Sequence, residues 1–503
     1  MMKKNQIVTK LLIMLLIAVA STSFAFDFSQ IEDKVVEYKL DNGLTVLILP
    51  RGDAPVVSCY TQANVGCADD PMGSMGMAHM FEHMAFKGTK EIGTTDYKKE
   101  KKWMDEEDRI FELILAERAK EDLADSIKLA ELDRQLQEAT DSASTYIVTN
   151  EFKEIAKSQG GAGLNAGTSQ DNTTYYINFP SNKLELWMAL ESGRFLDPVL
   201  RDLFKEKQVV AEERRYRVES SPTGRMFYAE YVGLAYNSHP YGKCLIGEAN
   251  EIQNYNRPIM MEQFKTHYVP RNMVVAIVGD VDPENAKKLA DKYFGQLEDR
   301  PVPRPAVIEE NEPYGVRTTT LEENSQPMFI TGFHIPSNLH PDWTALKALA
   351  DYLGSGRTSV FNKRLVKEDK TAVTCESFVG FPGSKHSSLL SIFCIPTNES
   401  NNSDNESVIL SEIEKVRNEP ILQSDLDKIK TQTKASFING LASNGGLAGQ
   451  LVSYQNRGGW REMFREVDKI NALTVEDIQR VAQKYLDPNK RVVVYIEKPQ
   501  AEI

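Results

Sequence analysis

Basic residues are too few here for a phosphate-binding surface: 59 lysines and arginines stand against 72 aspartates and glutamates, for a net charge of −13. That balance excludes nucleic acid as a partner, because neutralising phosphates takes a concentrated excess of Lys and Arg. A peptide or protein substrate fits it better. Cysteine is scarce as well. The five present, Cys59, Cys67, Cys244, Cys375 and Cys394, are widely spaced and odd in number, which excludes a disulfide framework and any C-x-x-C metal or redox pair. One bridge could form in an oxidising compartment; buried small hydrophobes are the plainer account. Beyond the first 25 residues, no run is apolar enough to span a membrane.

Those first 25 residues have the parts of a secretory signal. Lys3, Lys4 and Lys10 precede the apolar run Leu11 to Ala20, and Ser23-Phe24-Ala25 forms a small-x-small cleavage site. The run is short for a bilayer span and no cysteine follows it for lipid attachment. A mature protein from about Phe26, periplasmic or secreted, is the expectation.

A length of 503 residues favours at least two domains. An internal echo supports duplication. Phe264-Lys-Thr-His-Tyr-Val-Pro-Arg-Asn-Met-Val-Val-Ala-Ile-Val278 is matched by Ala482-Gln-Lys-Tyr-Leu-Asp-Pro-Asn-Lys-Arg-Val-Val-Val-Tyr-Ile496, each reading as a helix end, a turn and a buried strand. The Pro-rich, charged stretch at 301–316 suits an extended linker. Strands and helices do not alternate regularly, so the fold class expected is α+β, with an N-terminal domain at 26–300 and a C-terminal domain at 317–503. Residues 97–157 are rich in Lys, Glu and Asp, with apolar positions at helical spacing. They read as a charged helical hairpin, and the charge pattern favours a solvated insertion over a docking arm or substrate lid.

The chemistry concentrates in Gly76-Met-Ala-His79-Met-Phe-Glu82-His83-Met-Ala-Phe-Lys-Gly88. Histidines at i and i+4 share one helix face and can share a metal. Glu82 lies between them among methionines and phenylalanines, a dry setting that suits a general base acting on a metal-bound water. Catalytic zinc usually takes three protein ligands, so a further carboxylate is required. The helix-like run from Phe204 offers Glu206 and Glu213, seven residues apart and on one face, with Glu212 turned roughly 100° from Glu213.

These segments resemble the pitrilysin or insulinase family along nearly the whole mature chain. Gly76 to Thr89 is similar to that family's zinc helix, whose inverted motif H-x-x-E-H marks the inverzincins. Gly160-Gly-Ala-Gly-Leu-Asn165-Ala166-Gly-Thr168 resembles its substrate-binding edge strand, and Glu206 to Glu213 its E-x6-E. The resemblance implies two homologous domains, each a mainly antiparallel sheet with helices packed on it, facing each other across a chamber. It implies one Zn2+ held by His79, His83 and Glu213, with Glu82 as general base and Glu206 in support. It further implies that Asn165 and Ala166 lie on an edge that pairs with extended peptide.

There are two departures from the family pattern. The 97–157 insertion lengthens the gap between His83 and Glu213. In the second half, Arg364 matches the family's substrate-binding arginine, but Val373 stands where its tyrosine is expected. A homologous, zinc-less partner subunit supplying the missing pair is therefore expected, so the enzyme should be a dimer. The resulting expectation is a zinc endopeptidase for short unfolded peptides. Its rivals are a non-enzymatic peptide-binding or scaffolding subunit and a maturation peptidase for one dedicated substrate.

Overall fold

In the computed structural model, residues 31–52, 54–302, 308–311 and 313–499 are described. The signal sequence expected at 1–25 lies outside them, as do parts of the linker expected at 301–316. Among the described residues no helix is long and apolar enough to cross a membrane.

Two antiparallel-rich sheets organise the chain. The first contains β1 (Val36–Lys39), β2 (Thr45–Pro50), β3 (Val56–Ala63), β4 (Ala162–Thr168), β5 (Thr173–Pro180) and β6 (Met273–Gly279) in the order β1-β2-β6-β3-β5-β4. The second contains β7 (Arg317–Glu322), β8 (Met328–Ile335), β9 (Ala372–Phe381), β10 (Ser388–Pro396) and β11 (Val492–Glu497) in the order β7-β11-β8-β10-β9. Without β1, the two orders are the same path traced twice. In both, the last strand runs parallel to the first, β6 beside β2 and β11 beside β7, and every other pairing is antiparallel. The echoed sequence segments end on β6 and β11, the corresponding strands. The fold is α+β with two homologous units, as expected.

Each sheet buries one face against its own unit's helices, around Trp187, Phe195 and Phe264 in the first and Leu346, Leu349 and Leu353 in the second. The opposite faces are covered by exchange. Leu447, Leu451 and Trp460 from the second half pack on Leu47, Leu49 and Val274 of the first sheet. Tyr231 and Tyr236 from the first half pack on Ile330, Val492 and Val494 of the second. The contact is close: Tyr231 lies over Gly332, where a Cβ would meet the Tyr231 oxygen at 1.8 Å, and Tyr231 Oη is 2.8 Å from Ser391 Oγ. Packing therefore crosses the division expected at 301–316 twice.

Between β3 and β4 run α1 (Met77–Met84), α2 (Tyr97–Arg118), α3 (Ser126–Ser144) and α4 (Glu151–Ser158); α5 (Leu184–Leu196) and α6 (Leu203–Arg214) follow β5. The expected charged hairpin is α2 and α3, and it is not merely solvated. Ile110, Phe111, Ile114, Leu132 and Ala139 form a small core with Phe204 of α6. Acids of α2 meet cations from the body: buried Glu100 pairs with Arg201 at 2.8 Å, and buried Glu107 and part-exposed Asp108 pair with Arg257, the latter at 2.6 Å. The insertion thus buttresses the helix that carries Glu206 and Glu213. Arg257→Ala strands the buried Glu107 carboxylate and unpairs the part-exposed Asp108, and a loss of about 3–5 kcal/mol is expected in urea unfolding. A loss below about 1 kcal/mol would mean that the hairpin is an independent appendage.

Candidate metal centre

The first turn of α1 is built to be rigid. Gly76 has φ 86°, and a Cβ there would lie 2.2 Å from the Ile246 carbonyl oxygen, so only glycine fits. The buried Asp70 carboxylate accepts hydrogen bonds from the Gly76 and Ala78 amides at 2.8 and 2.9 Å, satisfying amides that a helix start leaves open. Met77, Met80, Phe81 and Met84 face the core. His79, Glu82 and His83 are left on the side toward β4 and α6.

On α6, Leu203 and Val210 point inward, and Glu206 and Glu213 face α1, as their shared helix face predicts. His79 Nε2 is 3.7 Å from Glu213 Oε1, and His83 Nε2 is 3.4 Å from Glu213 Oε2. One ligand atom from each of the three residues lies within 4.8 Å of the others. Tetrahedral zinc with bonds of about 2.0–2.1 Å needs ligand atoms about 3.4 Å apart, so this donor set fits the ion with little movement. Glu212 faces solvent and pairs with Arg215 at 2.6 Å.

Glu206 occupies the position behind His83. Its Oε1 is 2.9 Å from His83 Nδ1 and its Oε2 is 2.5 Å from Lys87 Nζ, an arrangement that fixes Nδ1 as the protonated nitrogen and leaves Nε2 turned to Glu213. Its pKa falls to about 2: burial raises it, but the hydrogen bonds from His83 and Lys87 outweigh that. Glu206→Gln removes this charge, and zinc affinity measured by chelator competition should weaken by about tenfold to a hundredfold. An unchanged affinity would relegate Glu206 to packing.

The two histidines differ. Burial, then the neighbouring His83 charge, takes His79 down to about 4, and its Nδ1 is buried without a hydrogen-bond partner. Burial also lowers His83, but the carboxylates of Glu206 and Glu213 overcome it and raise the pKa to about 9. A raised folded pKa adds stability that is complete below the unfolded value and is lost as pH rises through the folded one. The metal-free protein should therefore lose stability between pH 6.5 and about 9, as thermal unfolding would show. A flat profile there contradicts the pairing.

Glu82 is two-thirds buried or more, and burial raises its pKa despite a 2.6 Å hydrogen bond donated to Oε2 by Thr168 Oγ1. A space of about 380 Å³ opens beside it, lined by His83, Phe86, Ile147, Glu151 and Asn165 among others. Larger cavities of about 1080 and 970 Å³ lie away from these residues. Asn165 and Ala166 are on β4, an edge strand that among the described residues pairs with β5 alone. Arg364 is not brought here. It sits in Asn362–Glu368 of the second half and pairs with Asp369 at 2.9 Å, while Val373 is exposed near the start of edge strand β9. The helix that corresponds to α1 in the second unit, Trp343–Gly354, carries neither histidine nor glutamate.

Sequence reasoning did not single out Lys87, Thr168 or Arg217. Arg217 Nη2 lies 3.1 Å from Glu213 Oε1. Its i+4 spacing from Glu213 was a usable signal; Thr168 gave none, because only the folded sheet brings β4 to Glu82.

Two family models match the chain, the insulinase family (peptidase family M16) at 139–247 and the M16 peptidase inactive domain at 255–433. The chain belongs to the insulinase peptidase family. The first match includes Glu206 and Glu213 and starts beyond α1; the second covers most of the half without histidines on its matching helix. A zinc protease of Helicobacter pylori, PqqE, is 28% identical over 472 residues, 91% of each chain. A probable mitochondrial-processing peptidase subunit beta of Arabidopsis thaliana is 24% identical over 374 residues, 71% of this chain and 67% of that one. Among solved structures, a Helicobacter pylori protease superposes with a TM-score of 0.77 at 26% identity, covering 92% of this chain and 99% of that one.

Proposed function

We propose that the chain is an exported zinc endopeptidase that cleaves short, unfolded peptides, with its zinc domain at 26–300 and a non-zinc domain at 317–503. The observation that carries this reading is the convergence of His79, His83 and Glu213 to within 4.8 Å of one another. Membership in a peptidase family that includes a named zinc protease supports it.

Zinc, when bound, would supply a Lewis acid for the scissile carbonyl and lower the pKa of a water molecule. The side chains do the rest. His79, His83 and Glu213 hold the ion, and Glu206 sets the His83 tautomer. Glu82, raised in pKa by burial, takes a proton from the attacking water and delivers it to the leaving amine. The open edge of β4 at Asn165 and Ala166 would bind the peptide main chain by strand addition, which demands an unfolded segment.

Arg364 lies in the other half, paired with Asp369, and Val373 stands where the family's tyrosine is expected. That favours a dimer, with a homologous zinc-less subunit presenting the missing substrate-binding groups. The relative named as subunit beta is consistent with such an arrangement. The reading is tested with a panel of unrelated quenched peptides, assayed with the chain alone and with a co-expressed zinc-less homologue. Cleavage of many sequences, blocked by a chelator and restored by zinc, supports it. Cleavage of one sequence only would make the protein a dedicated maturation peptidase. Binding of peptides without cleavage in either format would make it a non-enzymatic subunit.

A further inference from the structure

Two of the five cysteines, 19 residues apart in sequence, are neighbours in the fold. Cys375 on β9 and Cys394 on β10 are register partners in the antiparallel pair. Both are wholly buried, and the Cys394 side chain hydrogen-bonds that of Cys375. Directly opposed residues of an antiparallel pair hold their Cα atoms about 4.5–5.5 Å apart, with both side chains on one face. A disulfide spans Cα separations of about 4.4–6.8 Å. The register is regular from Leu390 to Ile395, and its irregularities fall outside the pair. Cys59 has no such partner, since β3 places it opposite Ile177 and Ile277.

We propose that Cys375 and Cys394 form a cross-strand disulfide that staples β9 to the second sheet. β9 is an edge strand, held among the described residues by a ladder on one side, and a covalent tie to β10 limits its fraying. In forming the bond, each thiol gives up its proton and the two sulfurs join. The two electrons reduce an external disulfide, carried by an oxidoreductase or by oxidised glutathione, to two thiols. Burial raises the Cys375 thiol well above its ordinary pKa, so the bond is set while the sheet is assembling and both sulfurs are still accessible.

In the cell this rests on export to an oxidising compartment, so the experiment has two arms. The chain made with its own leader is recovered from the cell envelope, and a second sample is refolded in a mixture of oxidised and reduced glutathione. Each is denatured, alkylated without reduction and digested with trypsin. Peptides 371–385 and 386–415 are expected joined in both samples. Reduction should separate them, lower the Tm by several degrees and speed proteolysis within β9, and Cys375→Ser should behave like the reduced protein. Joined peptides in the refolded sample alone support the staple and overturn export. Alkylation of both cysteines in a natively refolded sample, or a link from either to another cysteine, overturns the staple.

Discussion

Glu82→Gln is expected to keep its zinc and its fold and to lose peptide hydrolysis by about a hundred- to ten-thousand-fold, the range that a positioned general base contributes. The substitution preserves size and the hydrogen bond that Thr168 donates at 2.6 Å, since the Gln carbonyl oxygen still accepts. It removes the carboxylate charge and with it the capacity to take a proton. Glu82 is absent from the ligand cluster, so metal content should remain that of the parent. The discriminating result is a split between the two measurements: full zinc with no turnover. Turnover near the parental rate would move the base elsewhere, and loss of zinc would make Glu82 a ligand.

His79→Ala should show the opposite pattern, losing metal and activity together. His79 offers one of the three candidate donors, and its Nε2 is 3.7 Å from Glu213 Oε1. Without it two protein ligands remain, fewer than a catalytic zinc site keeps. A readout independent of turnover is available. Ligands that bind only the native state raise its stability by mass action, so added zinc should raise the parental Tm, whereas the variant should not respond. The metal-free variant should fold, because it removes a buried histidine whose Nδ1 has no partner. A zinc-dependent Tm rise that survives in His79→Ala would place the ion away from α1.

Much of this site was legible in the sequence because helices turn spacing into geometry. The i, i+4 histidines and the i, i+7 glutamates each define a face, and α1 and α6 present those faces to one another. Glu212 was correctly set apart from Glu213 by its angle, and it pairs with Arg215 in solvent. The duplication was legible in one echoed segment because β6 and β11 repeat a full helix, turn and strand.

What escaped depended on contacts between residues far apart in the chain. Glu100 and Glu107 looked like solvated charges, and their burial follows from Arg201 and Arg257, 101 and 150 residues away. No local period announces such pairs. The exchange of Tyr231 and Trp460 between the two sheets escaped for the same reason, since an apolar stripe does not say which sheet it will cover. Arg364 matched a family position on sequence, but in the fold it pairs with its neighbours Glu368 and Asp369 and does not line the space beside Glu82.

On the proposed function, zinc sits between α1 and α6. Anomalous diffraction recorded on either side of the zinc absorption edge, from crystals of zinc-loaded Glu82→Gln protein, tests it most directly. A single strong peak is predicted about 2 Å from Nε2 of His79, Nε2 of His83 and a carboxylate oxygen of Glu213. A peak held by other residues, or none at these three in loaded protein, would contradict the account.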